Sequence, residues 1–322
     1  MPKAPGLPRA SATTLSRHQL LDQLQQIDRE KNRRERVLRL ESSFRSKIMS
    51  HIGSLPASDA LFDKFNTNPY VLLIHARQRG YSQISELESD ILPAKQFSSM
   101  ETSAGRMVEE VVFPEYGWEC VASGMHTSNS ALDGKKLENN QYNLVTLKSG
   151  PRCLNDEMSE NFADAILSNY VAWAKEGGVT RISFTYGVLY GTRKQSNKKD
   201  WHILRNIEKK NKDFITSSPY NKWDCQFQRD GISVDINIRI GIEWWCHLGG
   251  ELCFIEVFTA LIRACVSVGP PDDESVAYTI RELDKIVSLS GIAESYNVSL
   301  LQRGQLPWLF LMARHFCEVL TD

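Results

Sequence analysis

Residues 131–150 read ALDGKKLENNQYNLVTLKSG, and the order of residue types in this stretch decides how the rest of the chain is read. Asp133 closes a short apolar step. A polar turn runs from Gly134 through Lys135, Lys136 and Glu138-Asn139-Asn140, and Tyr142 to Lys148 then alternates polar and apolar residues as a half-buried strand does. The spacing predicts a β-hairpin. Residues two apart on a strand share a face, so Thr146 and Lys148 point the same way, and Asp133 on the partner strand can meet them. Carboxylate oxygens suit a hard cation such as Mg2+, and an ammonium can orient or deprotonate a water that attacks a phosphate. Glu110, reaching in from the preceding helix, completes a candidate centre of two carboxylates and a lysine. An acid followed by X-Lys on a strand is also common where no chemistry occurs, so the surroundings must carry the inference.

Downstream, Ser149-Gly150-Pro151-Arg152 is a turn whose backbone amides and guanidinium can face a phosphate or a base edge. Asn155 or Asp156 caps a helix running to about Lys175, with Met158, Phe162, Ile166, Tyr170 and Trp173 at threes and fours and Gly177-Gly178 as its stop. Val179 to Tyr190 is a continuous β-rich run, as in a central strand buried on both faces. Residues 191–213 hold the densest basic clustering, and Arg193, Lys194, Lys198 and Lys199 at its start are candidates for DNA contact. A strand is predicted at Ile232–Ile240, and an aromatic segment, GIEWWCHLGG, follows it. Next come an apolar helix over 251–268, a boundary at Gly269-Pro270-Pro271, and helical stretches over 272–290 and 298–320.

Upstream, Gly117 to Ala122 reads as a strand. The segment SAGRMVEEVVF reads as a helix capped by Thr102 or Ser103 and ended by Pro114. Shorter helices are predicted at 69–80, opened by Asn68-Pro69, and at 83–92, capped by Ser82. A long helical pattern covers 15–52, and between its two apolar stripes lies DREKNRRERVLRLE, a basic run laced with acids that reads as a solvated face with i,i+4 pairs or as a phosphate contact. Residues 1–14 read as a disordered tail. The domain reading is therefore a tail at 1–14, a helical arm at 15–60, a core at 61–268 and a C-terminal helical segment at 269–322.

Composition excludes more than it selects. With 322 residues, 42% hydrophobic, 24% charged and a net charge of −1, the chain is an ordinary globular protein and no polycation. A nucleic-acid enzyme need only concentrate its positive charge on one surface. The seven cysteines form no CxxC pair and suit reduced thiols of a cytoplasmic protein. The first residues lack the apolar core of a signal peptide, and no apolar run is long enough to span a membrane. P-loop, GxSxG and HExxH motifs are missing, which leaves nucleotide hydrolysis, serine-esterase and zincin chemistry without support.

Taken in order, NPYVLL, SAGRMVEEVVFP, ALDG followed by NLVTLKSG, ISFTYGVLYG with HILRNI, and GIEWWCHLGGE resemble type II restriction endonucleases of the PD-(D/E)XK superfamily, nearest to those cutting the interrupted palindrome RGGNCCY. The likeness spans about residues 66–265. It implies an α/β fold in which a mixed central sheet is flanked by helices, with helical N-terminal and C-terminal additions. It also implies Mg2+-dependent hydrolysis of double-stranded DNA by a homodimer. Asp133 falls at the first metal-binding carboxylate and Lys148 at the catalytic lysine. Thr146 falls where the superfamily usually has a second acid. The missing charge then comes from Glu110 or Glu109, or is made up by the Leu147 backbone carbonyl and waters, or the site is attenuated. The helix after Lys148, with Ser149, Arg152, Asn155 and Asp156 near its start, becomes a base-recognition element. The long N-terminal arm would reach a partner subunit or the flanking duplex.

Overall fold

The computed structural model describes residues 5–57, 61, 69–121, 131–270, 277–294, 296 and 299–322; Asp59, Asn68, Ala122, Pro271 and the first residue of the 298–320 stretch lie outside that set. Within the stretch read as a tail, Gly6 accepts a hydrogen bond from the Asn221 amide at 2.7 Å. Thr13 donates its amide to the Glu318 carboxylate, also at 2.7 Å. Strand β1 (Thr14–Ser16) leads into helix α1 (Arg17–Arg29), capped by the Ser16 hydroxyl, and α2 (Lys31–Ser54) follows. The pattern over 15–52 thus splits at Glu30, whose backbone is extended. Thirteen residues at about 100° each put Leu40 about 140° round from Ile27, so a straight helix would turn the second apolar stripe away from the first. The break lets both Ile27 and Leu40 reach the core.

Helix α3 (Pro69–Arg79) and helix α4 (Ile84–Met107) come next. The two helices expected at 83–92 and 103–113 prove to be largely one, with Pro93 inside it. A missing amide and a ring clash cost a helix about 3 kcal/mol without forbidding it. Past Met107 the backbone widens into a five-residue π-helical turn, Val108–Val112. Pro114 does not end the helix. It sits at the start of the short α5 (Phe113–Glu115), where a proline lacks nothing that the turn requires.

Strands β2 (Glu119–Cys120), β3 (Gly134–Glu138) and β4 (Gln141–Lys148) form the predicted hairpin region. The connection is tighter than the sequence suggests: Asn139 and Asn140 alone make the turn, both left-handed at φ 52° and 56°. That two-residue geometry matches the twist of the strands it joins, and asparagine tolerates it. Gly134 to Glu138 accordingly belongs to the strand. Helix α6 (Asp156–Gly177), capped by Asn155 and stopped by left-handed Gly178, returns the chain to β5 (Arg181–Val188). Helix α7 (Lys199–Lys210), β6 (Ile215–Ser217), β7 (Asp224–Arg229) and β8 (Ile232–Ile240) follow. Then come α8 (Ile242–Gly249), α9 (Cys253–Cys265), α10 (Leu283–Val287), α11 (Leu306–Arg314) and β9 (Val319–Thr321). Residues 272–276 also lie outside the described set; among the described residues of 277–290 and 299–320 the helices α10 and α11 cover only part of the expected stretches, and Val319–Thr321 is a strand parallel to β1.

The main sheet has seven strands in the order β2-β3-β4-β5-β8-β7-β6. Its centre, β4-β5-β8, is parallel and its margins are antiparallel. One face packs Leu144, Phe184, Tyr186 and Ile236 against Trp173 and Ile166 of α6 and Trp201 and Leu204 of α7. The other buries Val145 and Leu147 under Phe113, Trp118 and Trp244, beneath α1, α2, α9 and α11. This is an α/β core with a mixed sheet flanked by helices. The β4-α6-β5 crossover leaves the carboxyl end of β4 beside the loops after β4 and β5, where strand ends of such sheets carry their sites.

Candidate active site

The β3–β4 pairing sets the first contact. Gly134 lies opposite Val145, and the Asp133 amide donates to the Val145 carbonyl at 2.8 Å, so Asp133 stands opposite Thr146. Its carboxylate Oδ2 accepts from the Leu147 amide at 2.5 Å and from the Thr146 hydroxyl at 3.1 Å. Thr146 is buried at 2% exposure, so its hydroxyl is a fixed donor to Asp133. Lys148, two residues on and on the same face, is half-buried with Nζ 5.6 Å from the Phe162 ring centre. Leu147 turns its amide toward the β3 side; amide and carbonyl of one strand residue point the same way, so its carbonyl faces that side too.

Two adjacent glutamates diverge on the π-helical turn. Glu110 is exposed and its carboxylate is held by Lys47 of α2 at 2.5 Å. Glu109 is half-buried, and burial together with the charge of Asp133 pushes its carboxyl up to about 7, with Lys148 and Arg106 opposing. Of the two acids considered, Glu109 is the one brought within range of Asp133 and Lys148. The sequence leaves that choice open, because it depends on helical winding.

Neighbouring contacts place the whole turn. The Cys120 thiol donates to the Glu109 carbonyl at 2.9 Å, and the next amide, Val121, donates to the Asp133 carbonyl at 3.0 Å. Among the described residues no group of three or more His, Cys, Asp and Glu side chains forms a metal cage. Mg2+ does not need one. It is commonly held by one or two carboxylates with waters and substrate phosphates. Asp133, Glu109 and the Leu147 carbonyl could supply an all-oxygen set of that kind.

The expected DNA-contacting residues separate into two groups. Ser149 and Arg152 are exposed on the turn after β4, where Arg152 donates through Nε to the Gln195 carbonyl at 3.1 Å. Asn197 joins the same two loops, through its amide to Pro151 and its side chain to Leu154. Lys194 is exposed on this loop. The remaining candidates are engaged within the chain. Asn155 caps α6 through Oδ1 at 2.8 Å from the Met158 amide. Asp156 accepts from Lys199 at 2.6 Å and from His202 at 3.2 Å, and these bonds lower its pKa. Arg193 pairs with Glu243 at 2.8 Å and lies 5.0 Å from the Trp223 ring; burial lowers its pKa. Lys198 also stands over Trp223, at 5.7 Å, and donates to the Arg193 carbonyl.

Part of the basic run of α2 is likewise turned inward. Arg33 and Arg36 converge on fully buried Glu256 at 2.8 and 2.9 Å, Arg39 pairs with Glu115 at 2.9 Å, and Lys47 holds Glu110. Tyr116 donates its hydroxyl to Glu256 at 2.5 Å. Arg33 and Arg36 thus clamp α2 onto α9, and Arg39 and Lys47 tie it to the segment that carries Glu109, while Lys31 and Arg34 stay exposed and Lys31 pairs with Glu35 at i,i+4, as on a solvated face. Nothing in the run's spacing announces Glu256, Glu115 and Glu110, which lie between 63 and 223 residues away.

A mixed sheet with an acid bonded to the end of a central strand, and a lysine closing that strand, defines the class: an α/β enzyme with a restriction-endonuclease-like core. A family model described as type II restriction endonuclease EcoO109I matches residues 36–221, more than half of the chain and all of the residues around Asp133, and the chain belongs to that family. No curated protein matches the chain. The family's activity is sequence-specific cleavage of DNA. Among the described residues no helix is long and apolar enough to cross a membrane.

Proposed function

We propose that the chain hydrolyses phosphodiester bonds of double-stranded DNA with Mg2+, at a short G·C-rich palindrome of the RGGNCCY kind, as a cytoplasmic restriction enzyme of the PD-(D/E)XK type. The observation that carries this reading is the Asp133 carboxylate, locked by the Leu147 amide and the Thr146 hydroxyl beside Lys148. When bound, Mg2+ would neutralise charge developing on the scissile phosphate and acidify a water. Asp133 and the Leu147 carbonyl would be two of the chain's oxygen donors to it. Both described hydrogen bonds to the Asp133 carboxylate end on Oδ2, which fixes the direction in which the other oxygen can face. Lys148, on the same face as Thr146, orients the attacking water and takes up or relays its proton.

The exposed side chains of Ser149 and Arg152, with Lys194 on the adjoining loop, form a surface for a duplex beside β4, arginine being suited to guanine and to phosphate. Cutting both strands of a palindrome calls for two such sites related by a twofold axis, hence a homodimer. Support comes from α3 and α4, where Tyr70, Leu73, Ile74 and Phe97 are 64–74% exposed, an apolar display that a subunit contact would bury. A second reading, a DNA-binding protein that has lost cleavage, draws on Thr146 standing in for an acid.

Incubation with a mapped plasmid, with and without Mg2+, separates the two. Discrete fragments only in Mg2+ are expected, and Asp133→Ala and Lys148→Ala should each abolish cutting while specific binding persists. Cutting by either variant at the wild-type rate ends the assignment.

A further inference from the structure

On β4 the position of the second acid is taken by Thr146, whose buried hydroxyl donates to Asp133 and contributes no charge. The segment that runs past this uncharged position is the end of α4 and the π-helical turn after it. Two packing contacts bracket Glu109 there. Four residues before it, Gly105 faces the residue after Lys148: a Cβ added to Gly105 would lie 3.9 Å from the Ser149 hydroxyl. Four residues after it, Phe113 lies against the residue after Asp133: a Cβ added to Gly134 would fall 2.3 Å from Cε2 of Phe113. Between them, the Cys120 thiol holds the Glu109 carbonyl and the next amide holds Asp133. The turn is thus pinned to both catalytic strands, on either side of Glu109.

The π-helical winding decides which glutamate enters. A π-turn inserts an extra residue into an α-helix, shifts the phase of the residues beyond it, and occurs often at functional sites. Here Glu110 is drawn outward to Lys47 at 2.5 Å, and Glu109 is left on the Asp133 side.

We infer that Glu109 is the second metal-holding carboxylate of this enzyme, and that the acid has moved from the strand position of Thr146 to a helix while serving the same point in space. The inference rests on the reading of the site as a Mg2+ centre. It makes a reciprocal demand: an acid restored at position 146 should make Glu109 dispensable. A carboxylate there would project beside Asp133 from the same face as Lys148, as the threonine hydroxyl does.

The test compares wild type, Glu109→Gln, Glu109→Gln/Thr146→Glu and Asp133→Ala, with folding checked by thermal unfolding. Two readouts are taken: the Mg2+ concentration for half-maximal plasmid cleavage, and binding of Mg2+ to the DNA-free protein by calorimetry. Glu109→Gln, which keeps size and shape, should weaken both at least about tenfold, the scale on which loss of groups around a metal acts. The double variant should recover most of that loss. Wild-type Mg2+ binding and cutting by Glu109→Gln, with Asp133→Ala defective, overturns the inference and leaves the nuclease reading standing. A double variant no better than Glu109→Gln overturns the equivalence of the two positions. Glu110→Gln is measured alongside, and a loss there in place of Glu109→Gln overturns the inference itself. Cutting by Asp133→Ala at the wild-type level, or no Mg2+ binding by wild type, removes the reading on which the inference stands.

Discussion

Among the described residues, Glu256 is the deepest carboxylate and the one whose removal has the most legible consequence. It sits on α9 at 0% exposure and receives Arg33 at 2.8 Å, Arg36 at 2.9 Å and the Tyr116 hydroxyl at 2.5 Å. Substitution by glutamine keeps the volume and removes the charge. One amide oxygen can still accept from one guanidinium, but the amide NH2 then confronts the other, donor against donor. Removing one partner of a buried ion pair costs about 3–5 kcal/mol, since the remaining charge stays desolvated. The lower end applies here: the arginine side chains are 31% and 26% exposed, and Arg33 retains Glu30 at 2.6 Å. Glu256→Gln should therefore lose about 3 kcal/mol in urea unfolding of the DNA-free protein.

The contrast that tests the reasoning is a variant with all three charges removed, Glu256→Met with Arg33→Met and Arg36→Met. Well-packed apolar residues in place of a whole buried ion cluster are often neutral or better. It should be more stable than Glu256→Gln alone. A loss below about 1 kcal/mol for Glu256→Gln, the scale of an exposed pair, or a triple variant less stable than the single one, would refute the claim that stranded buried cations set the cost.

Two further outcomes stem from the same geometry. Gly134→Ala drives a methyl into Phe113, where no room exists, and should cost about 1–3 kcal/mol by overpacking while weakening Mg2+ binding through displacement of the Glu109 turn; an unchanged thermal midpoint would contradict it. His247 is bonded to Thr185 at 3.2 Å, flanked by Trp118 and Trp244, and lowered to about 4 by burial, then by Arg239 and Lys136. The unfolded chain takes up that proton from about pH 6.5 downward and the folded one does not, so this stability is complete above that pH and falls by about 2 kcal/mol between pH 7 and pH 5; His247→Gln should lose this part of the slope, and equal slopes in the two proteins would exclude His247 as its source.

How much of the structure is legible in the sequence depends on whether the deciding interaction is local. Helix α6 is legible to within a few residues because its Asn155 cap, its apolar spacing and its Gly178 stop all lie in one stretch. Strands β5 and β8 are legible from their β-rich runs, and Asp133 and Thr146 meet as strand pairing requires, with Lys148 two residues further on the same face. Strand β7 escapes the sequence reading, although Asp230-Gly231, both with positive φ, is a strong hairpin signal; DCQFQR before it alternates, but its polar residues mask a half-buried strand. The helix break at Glu30 and the helix through Pro93 escape it too, because tertiary packing overrides local preference in both.

Charge behaves differently from hydrophobicity in this respect. An apolar stripe carries its own period, so its buried face is visible in the sequence, whereas the meaning of a cation depends on where a carboxylate arrives. Arg193 and Lys199 read as phosphate contacts until Glu243 and Asp156 are seen beside them, and Arg33 and Arg36 read as a solvated face until Glu256 is. The same rule governs the acids. Glu109 and Glu110 are indistinguishable by type and adjacent in sequence, and Lys47, 63 residues from Glu110, marks which of them faces away from Asp133. The clamp of α2 therefore belongs to the reasoning about the site as much as to stability: by occupying Glu110, Glu115 and Glu256 it orients the segment that carries Glu109 toward Asp133.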